Sequence, residues 1–222
     1  KSRRPARSPP FVRSRTLHLG RARLRLDPVT ALAYLGTMAL RPILIHPDPR
    51  LRKVCDPVST VDDEVRQLVR DMFETMYDAP GIGLAAPQIG VLKRVVVLDC
   101  ASRAAADDED APPPAPEPVA MINPEITWMS DEASVYQEGC LSIPDQFDDV
   151  TRPERVKVTW IDETGAPRER EMDGLWATCV QHEIDHLNGK LFLDYLGPVK
   201  RAMITSKMKK LKRERARERA KV

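Results

Sequence analysis

Gln181-His182-Glu183-Ile184-Asp185-His186 sets the reading of the whole chain. Two histidines four positions apart on a helix share one face and can hold one metal ion, and the carboxylate between them then stands beside that ion. The H-E-x-x-H pattern has a defined division of labour: neutral imidazoles bind the metal, and the glutamate acts as general base toward water. A charged helix can also carry the pattern on a solvated face. The third ligand decides between the two readings.

In many zinc peptidases that ligand is a histidine further along, in H-E-x-x-H-x-x-G-x-x-H. Here the glycine is present as Gly189, but Phe192 stands at the last position. The four histidines are His18, His46, His182 and His186, so a further ligand must be Cys, Asp or Glu. Cys140, in Glu138-Gly139-Cys140-Leu141-Ser142-Ile143-Pro144, is the natural choice. Cys179 is its rival, three positions before His182 on the same helix. Three ligands along one helical stripe would crowd, and a tetrahedral site closes more readily with a ligand from a separate segment. Cys179 is therefore assigned to the pocket wall, as a buried free thiol.

The 222 residues suit one domain with appendages, and a 42% hydrophobic content excludes a disordered chain. No apolar run approaches the roughly 20 residues that a membrane helix needs. Four cysteines are too sparse for a secreted disulfide scaffold, and a metal-binding thiol needs a reducing compartment, which points to the cytoplasm. The net charge is only +2, yet the basic residues gather at the two ends. A polyanionic partner would meet the termini rather than the core.

Residues 1–37 are arginine-rich, broken by prolines, and contain only Asp27 as an acid, so they read as a basic disordered extension. Either the natural protein starts at Met38, or the extension is a transit peptide and the location is organellar. A domain is expected over 38–206. Its first helix is expected to take Thr60 as cap and to bury Val65, Leu68, Val69, Met72 and Met76, which recur at spacings of three and four. Pro80-Gly81 stops it. The uncharged run Gly81-Ile82-Gly83-Leu84-Ala85-Ala86-Pro87-Gln88-Ile89-Gly90 lets backbone approach a partner closely, or is simply a tight loop. It matches neither phosphate-binding glycine pattern. A strand follows over 94–99, then an acidic, proline-rich loop over 101–118. Short strands are expected at 119–122 and 126–129, and a hairpin at 155–172. The metal helix runs from Asp173-Gly174 to Asn188-Gly189. A last helix begins at Pro198, with Met203, Ile204, Met208 and Leu211 inward and a basic tail over 207–222.

Taken together, the runs GIGLAAPQ (81–88), EGCLS (138–142) and QHEIDH (181–186) resemble the three motifs of peptide deformylase. The resemblance implies a hydrolase that removes the N-formyl group from the initiator methionine of new polypeptides and releases formate. It implies an α+β fold, with antiparallel β-sheets around a central metal-binding helix and a C-terminal helix. Cys140, His182 and His186 become the metal ligands and Glu183 the general acid and base. Gln88 and the backbone N–H of Leu141 become the oxyanion donors. Gly81, Ile82 and Gly83 pair with the extended peptide, with Glu138 and Gly139 beside it. Ile82, Leu175, Thr178 and Cys179 wall the methionine pocket. One divalent ion per chain is implied, Fe²⁺ or else Ni²⁺, Co²⁺ or Zn²⁺. The resemblance further implies a monomer that approaches the ribosome through its basic C-terminal helix. Phe147 departs from relatives that carry a basic residue there, and Thr178 makes one wall more polar. Competing readings are a metallopeptidase, or a relative that has lost catalysis and only binds metal or ribosomes.

Overall fold

The computed structural model describes residues 39–101 and 115–219. The extension 1–37, Met38 and most of the acidic loop lie outside the described residues.

Helix α1 (Asp63–Asp78) starts one residue pair later than its Thr60 cap would place it. Asp62 is the cap, its Oδ1 accepting from Val65 N–H at 2.9 Å, and Asp63 and Glu64 follow in the first turn. Its apolar face packs on a five-stranded antiparallel sheet of order β1-β2-β3-β6-β7. The strands are β1 (Gly83–Ala85), β2 (Val95–Leu98), β3 (Val119–Met129), β6 (Arg155–Ile161) and β7 (Pro167–Asp173). A separate two-stranded ribbon joins β4 (Ala133–Cys140) to β5 (Ile143–Pro153).

The unbroken apolar run of β2 is explained by what covers it. Val95 and Val97 meet α1, whereas Val96 and Leu98 belong to the core under helix α2 (Gly174–Leu187), so both faces are buried. Strand β3 unites the two short strands expected there. The join is irregular, with register shifts at Ile122/Glu125 and Ile126/Trp128. Asn123 sits at φ 52°, and its side chain bonds Val58 through both N–H and carbonyl. Pro124 has no N–H to give to a ladder, which the bulge accommodates.

Helix α2 is covered on nearly every side between Ala177 and Leu187, as a central helix must be. Asn188 caps its end, and Gly189 follows, whose φ of +71° suits glycine and whose added Cβ would meet the Arg52 carbonyl oxygen at 2.6 Å. Helix α3 (Pro198–Arg219) runs without a break across position 206. It buries Ile204 and Met208 against Ile45, Leu51, Leu191 and Leu196, with Leu211 partly covered. Met203 is 57% exposed and does not face inward, because positions 204, 208 and 211 already define the stripe that meets the domain.

Candidate active site

Helix α2 delivers His182, Glu183 and His186, all buried. Cys140 reaches them from the end of β4, where the ladder slips between Gly139 and Cys140 and the turn Leu141-Ser142 begins. Its Sγ lies 3.2 Å from His186 Nε2. One donor atom from each of Cys140, His182 and His186 falls within 4.8 Å of the others. Cys179 stays out of this group, with Sγ at 3.7 Å from the carbonyl oxygen of Ile82. Phe192, at the downstream place where a third histidine would stand in a peptidase, is fully buried and stacks on His182 with ring centroids 6.2 Å apart. That position packs the core.

His182 is oriented from behind. Its Nδ1 is 2.8 Å from Glu138 Oε2, which leaves Nε2 to face Cys140. Glu138 is gripped in turn by Arg152, and both side chains are 4% exposed. Arg152 also donates to Asp185 at 2.8 Å, and the Tyr195 hydroxyl donates to the same Asp185 oxygen at 2.8 Å. Glu138 was expected among the peptide-contacting residues. It borders the cleft, but its carboxylate is taken up by Arg152 and His182, because a buried acid beside an arginine is held by that ion pair. The sequence reading missed Arg152, Asp185 and Tyr195. An arginine two places from buried Val150 in an alternating strand was the available signal.

The donor set fits a divalent cation by its chemistry. Burial alone would lower the His182 pKa, yet its bonds to Cys140 and Glu138 and the nearby Glu183 hold it well above its ordinary value. His186 is pushed well below its ordinary value by burial and by His182. A thiol and two imidazoles converging in one buried place suit a divalent cation, which would bind them in their deprotonated forms. Burial raises Glu183 to about 7, and its Oε2 has no hydrogen-bond partner among the described residues. Such a carboxylate can accept and return a proton near neutrality.

Gln88 is buried beside Cys140. Its Oε1 accepts from the Ala85 N–H at 2.7 Å, which fixes the amide so that Nε2 points to Ser142 Oγ at 3.3 Å and Cys140 Sγ at 3.6 Å. A cavity of about 580 Å³ opens before Cys140, His182 and Glu183. Gly81, Ile82 and Gly83 form one side, and Gly139 and Leu141 the other. Leu175, Thr178 and Cys179 contribute from α2. The Thr178 hydroxyl donates to the Gly174 carbonyl at 3.1 Å, so this wall is less polar than its residue type suggests. Among the described residues strand β1 is an edge of the sheet, with no strand partner on one side.

The sequence model of the polypeptide deformylase family matches residues 40–202. A peptide deformylase of Methylocella silvestris is 57% identical over 173 residues, which are 78% of this chain and 85% of that protein. The crystal structure of a peptide deformylase from Legionella pneumophila superposes with a TM-score of 0.70 at 47% identity, covering 81% of this chain and 99% of that one. A Met-Ala-Ser-bound peptide deformylase from Acinetobacter baumannii gives 0.64 at 38% identity, covering 72% and 99%.

Proposed function

The chain belongs to the polypeptide deformylase family, whose metal-dependent enzymes remove the N-formyl group from nascent peptides, and we propose the roles of its residues in that reaction. Cys140, His182 and His186 hold one divalent ion. When bound, the ion supplies a Lewis acid and makes water acidic enough to act as a nucleophile near neutral pH. A thiolate with two imidazoles suits a first-row ion of intermediate softness, and we assign Fe²⁺, with Ni²⁺, Co²⁺ or Zn²⁺ as alternatives.

The observation that carries this assignment is the meeting of Cys140 with the α2 histidines beside a carboxylate that burial holds at about 7. Glu183 takes a proton from the attacking water and returns it to the departing amine, which cannot leave as an anion. Gln88 Nε2 and the N–H of Leu141, in the turn directly after Cys140, donate to the formyl oxygen as negative charge develops on it. The backbone of Gly81-Ile82-Gly83, which leads into the edge strand β1, receives the extended peptide as an added strand. The methionine side chain enters between Ile82, Leu175, Thr178 and Cys179.

No helix among the described residues is long and apolar enough to cross a membrane. A cytoplasmic monomer that meets the ribosome through α3 agrees with the exposed Lys209, Lys210, Arg213 and Arg217 on that helix. The test of function is formate release from formyl-Met-Ala-Ser by protein purified without oxygen, with bound metal quantified in the same sample. Metal-dependent release is expected. A fully loaded protein that releases none overturns the assignment.

A further inference from the structure

Among the described residues, Arg215 is the only lysine or arginine that lines the cleft. It comes from the far end of α3. Ile204, Met208 and Leu211 are the stripe that anchors this helix, and 215 follows 211 by four positions on the same face. The anchoring stripe is thus continued, one turn on, by a cation at the cleft.

Ion pairs and a hydrogen bond hold the helix on this course. Lys200 pairs with Asp148 at 2.7 Å, Lys207 Nζ donates to Gln146 at 3.1 Å, and Lys212 lies 3.5 Å from Asp48. Gln146 itself borders the cleft. The neighbouring acid Glu214 lies 3.9 Å from Lys210. Arg215 has no hydrogen bond or ion pair among the described residues. Three acids also border the cleft. Glu138 is taken up by Arg152 and His182, Glu183 is buried, and Asp145 is exposed and makes no ion pair with Arg215.

A formylated peptide has lost the positive charge of its amino terminus, so the charges it brings to this cleft lie on its later residues. An unpaired guanidinium offers those residues a planar, permanently charged site for a carboxylate. We propose that Arg215 is a specificity-determining residue that binds a carboxylate on the peptide downstream of formyl-methionine. This rests on the deformylase reading of the cleft.

The test uses the full, metal-loaded protein and amidated formyl-Met peptides in which Glu or Gln is placed at the second, third or fourth position. A pair of formyl-Met-Ala-Ala peptides, one with a free carboxylate and one amidated, separates a chain-end carboxylate from a side-chain one. At low ionic strength, kcat/KM is expected to favour Glu over Gln by about 2- to 5-fold at one position, the size of an exposed ion pair. The ratio is expected to approach one at high salt, to vanish in Arg215→Gln and to invert in Arg215→Glu. Inversion is not an outcome of a merely structural role. If only the free-carboxylate peptide gains, and the gain is lost in Arg215→Gln, the site is supported as one for short chain ends. A ratio of one throughout the wild-type scan overturns the proposal, as does a preference that survives both substitutions or ignores salt. The Gln peptides control for the underlying reading: no formate from any of them overturns both.

Discussion

A Cβ placed on Gly83 would lie 2.5 Å from Glu183 Oε1 and 2.8 Å from Cys179 Sγ. Strand β1 and helix α2 meet there through a glycine because no side chain fits. Gly83→Ala is therefore expected to move the Glu183 carboxylate while leaving the three ligand residues in place. A displacement of about 1 Å at a reacting group can cost about 100-fold in turnover. The expected result is near-normal metal content with kcat reduced by that order, read by formate release and metal analysis on one sample. Unchanged kcat would show that β1 yields instead.

Cys140→Ala is expected to lose the metal, and Cys179→Ala to keep it, since the Cys179 thiol is turned toward the Ile82 carbonyl. Metal per chain after gel filtration separates the two. A metal-loaded Cys140→Ala protein would return Cys179 to the ligand set. Adding a chelator to the wild type is expected to lower its melting temperature, because an ion bound only by the folded state stabilises that state.

Arg152→Ala leaves the Glu138 carboxylate buried without its main counter-charge. Breaking a pair in which both members are 4% exposed is expected to cost about 3–5 kcal/mol of stability. Glu138→Gln is milder for folding but weakens the hold on His182, and metal affinity is expected to fall about 10- to 100-fold. Denaturant unfolding and competition with a metal indicator measure the two effects.

Asp162 caps the β6–β7 turn, with Oδ1 accepting from the Thr164 N–H, the Thr164 hydroxyl and the Ala166 N–H, and Oδ2 from Arg168. The Thr164 hydroxyl, then Arg168 and the two backbone N–H groups, hold its carboxyl well below the ordinary value of 3.8. A depressed folded-state value means that this stabilisation is fully present above the unfolded value and is lost as pH falls from about 4 toward the folded one. Asp162→Asn is expected to flatten the fall in stability over that acidic range relative to wild type, as followed by urea midpoints at several pH values. Equal slopes in the two proteins would remove Asp162 from the acid response.

The ribosome reading of α3 is tested by charge reversal rather than truncation. Removing residues 207–222 would strip out Met208, whose burial is worth about 1.5–3 kcal/mol, and so would disturb the domain itself. Lys209→Glu with Arg213→Glu lies on exposed positions and is expected to weaken ribosome co-sedimentation at low salt while leaving the melting temperature within about 1 °C. Unchanged co-sedimentation would rule out this face of the helix.

Much was legible along the chain because its signals are local. The 3.6-residue spacing of α1, the apolar run of β2, the glycine-ended metal helix and the Glu163-Thr164-Gly165 turn each state their conformation within a few residues. So do the two histidines of α2, which share a face by helix geometry alone. Other features depend on what lies across the fold. Thr60 and Asp62 are both acceptable caps, and only the packing of α1 on the sheet selects Asp62. Met203 is as apolar as Met208, but the angle at which α3 meets Leu191 and Leu196 decides which is covered.

The same division runs through the site. By itself the sequence determined which candidate ligand types and which candidate base the chain offers and that no histidine follows His186, since those are properties of residue identity and spacing. Tertiary structure alone brought Cys140 across from the β4–β5 ribbon and turned the Glu138 carboxylate from the peptide to His182 through Arg152. It also carried Arg215 to the cleft from the far end of the chain. The reason is physical: a side chain's role is fixed by the groups it is buried with, and those come from segments whose meeting no local pattern encodes.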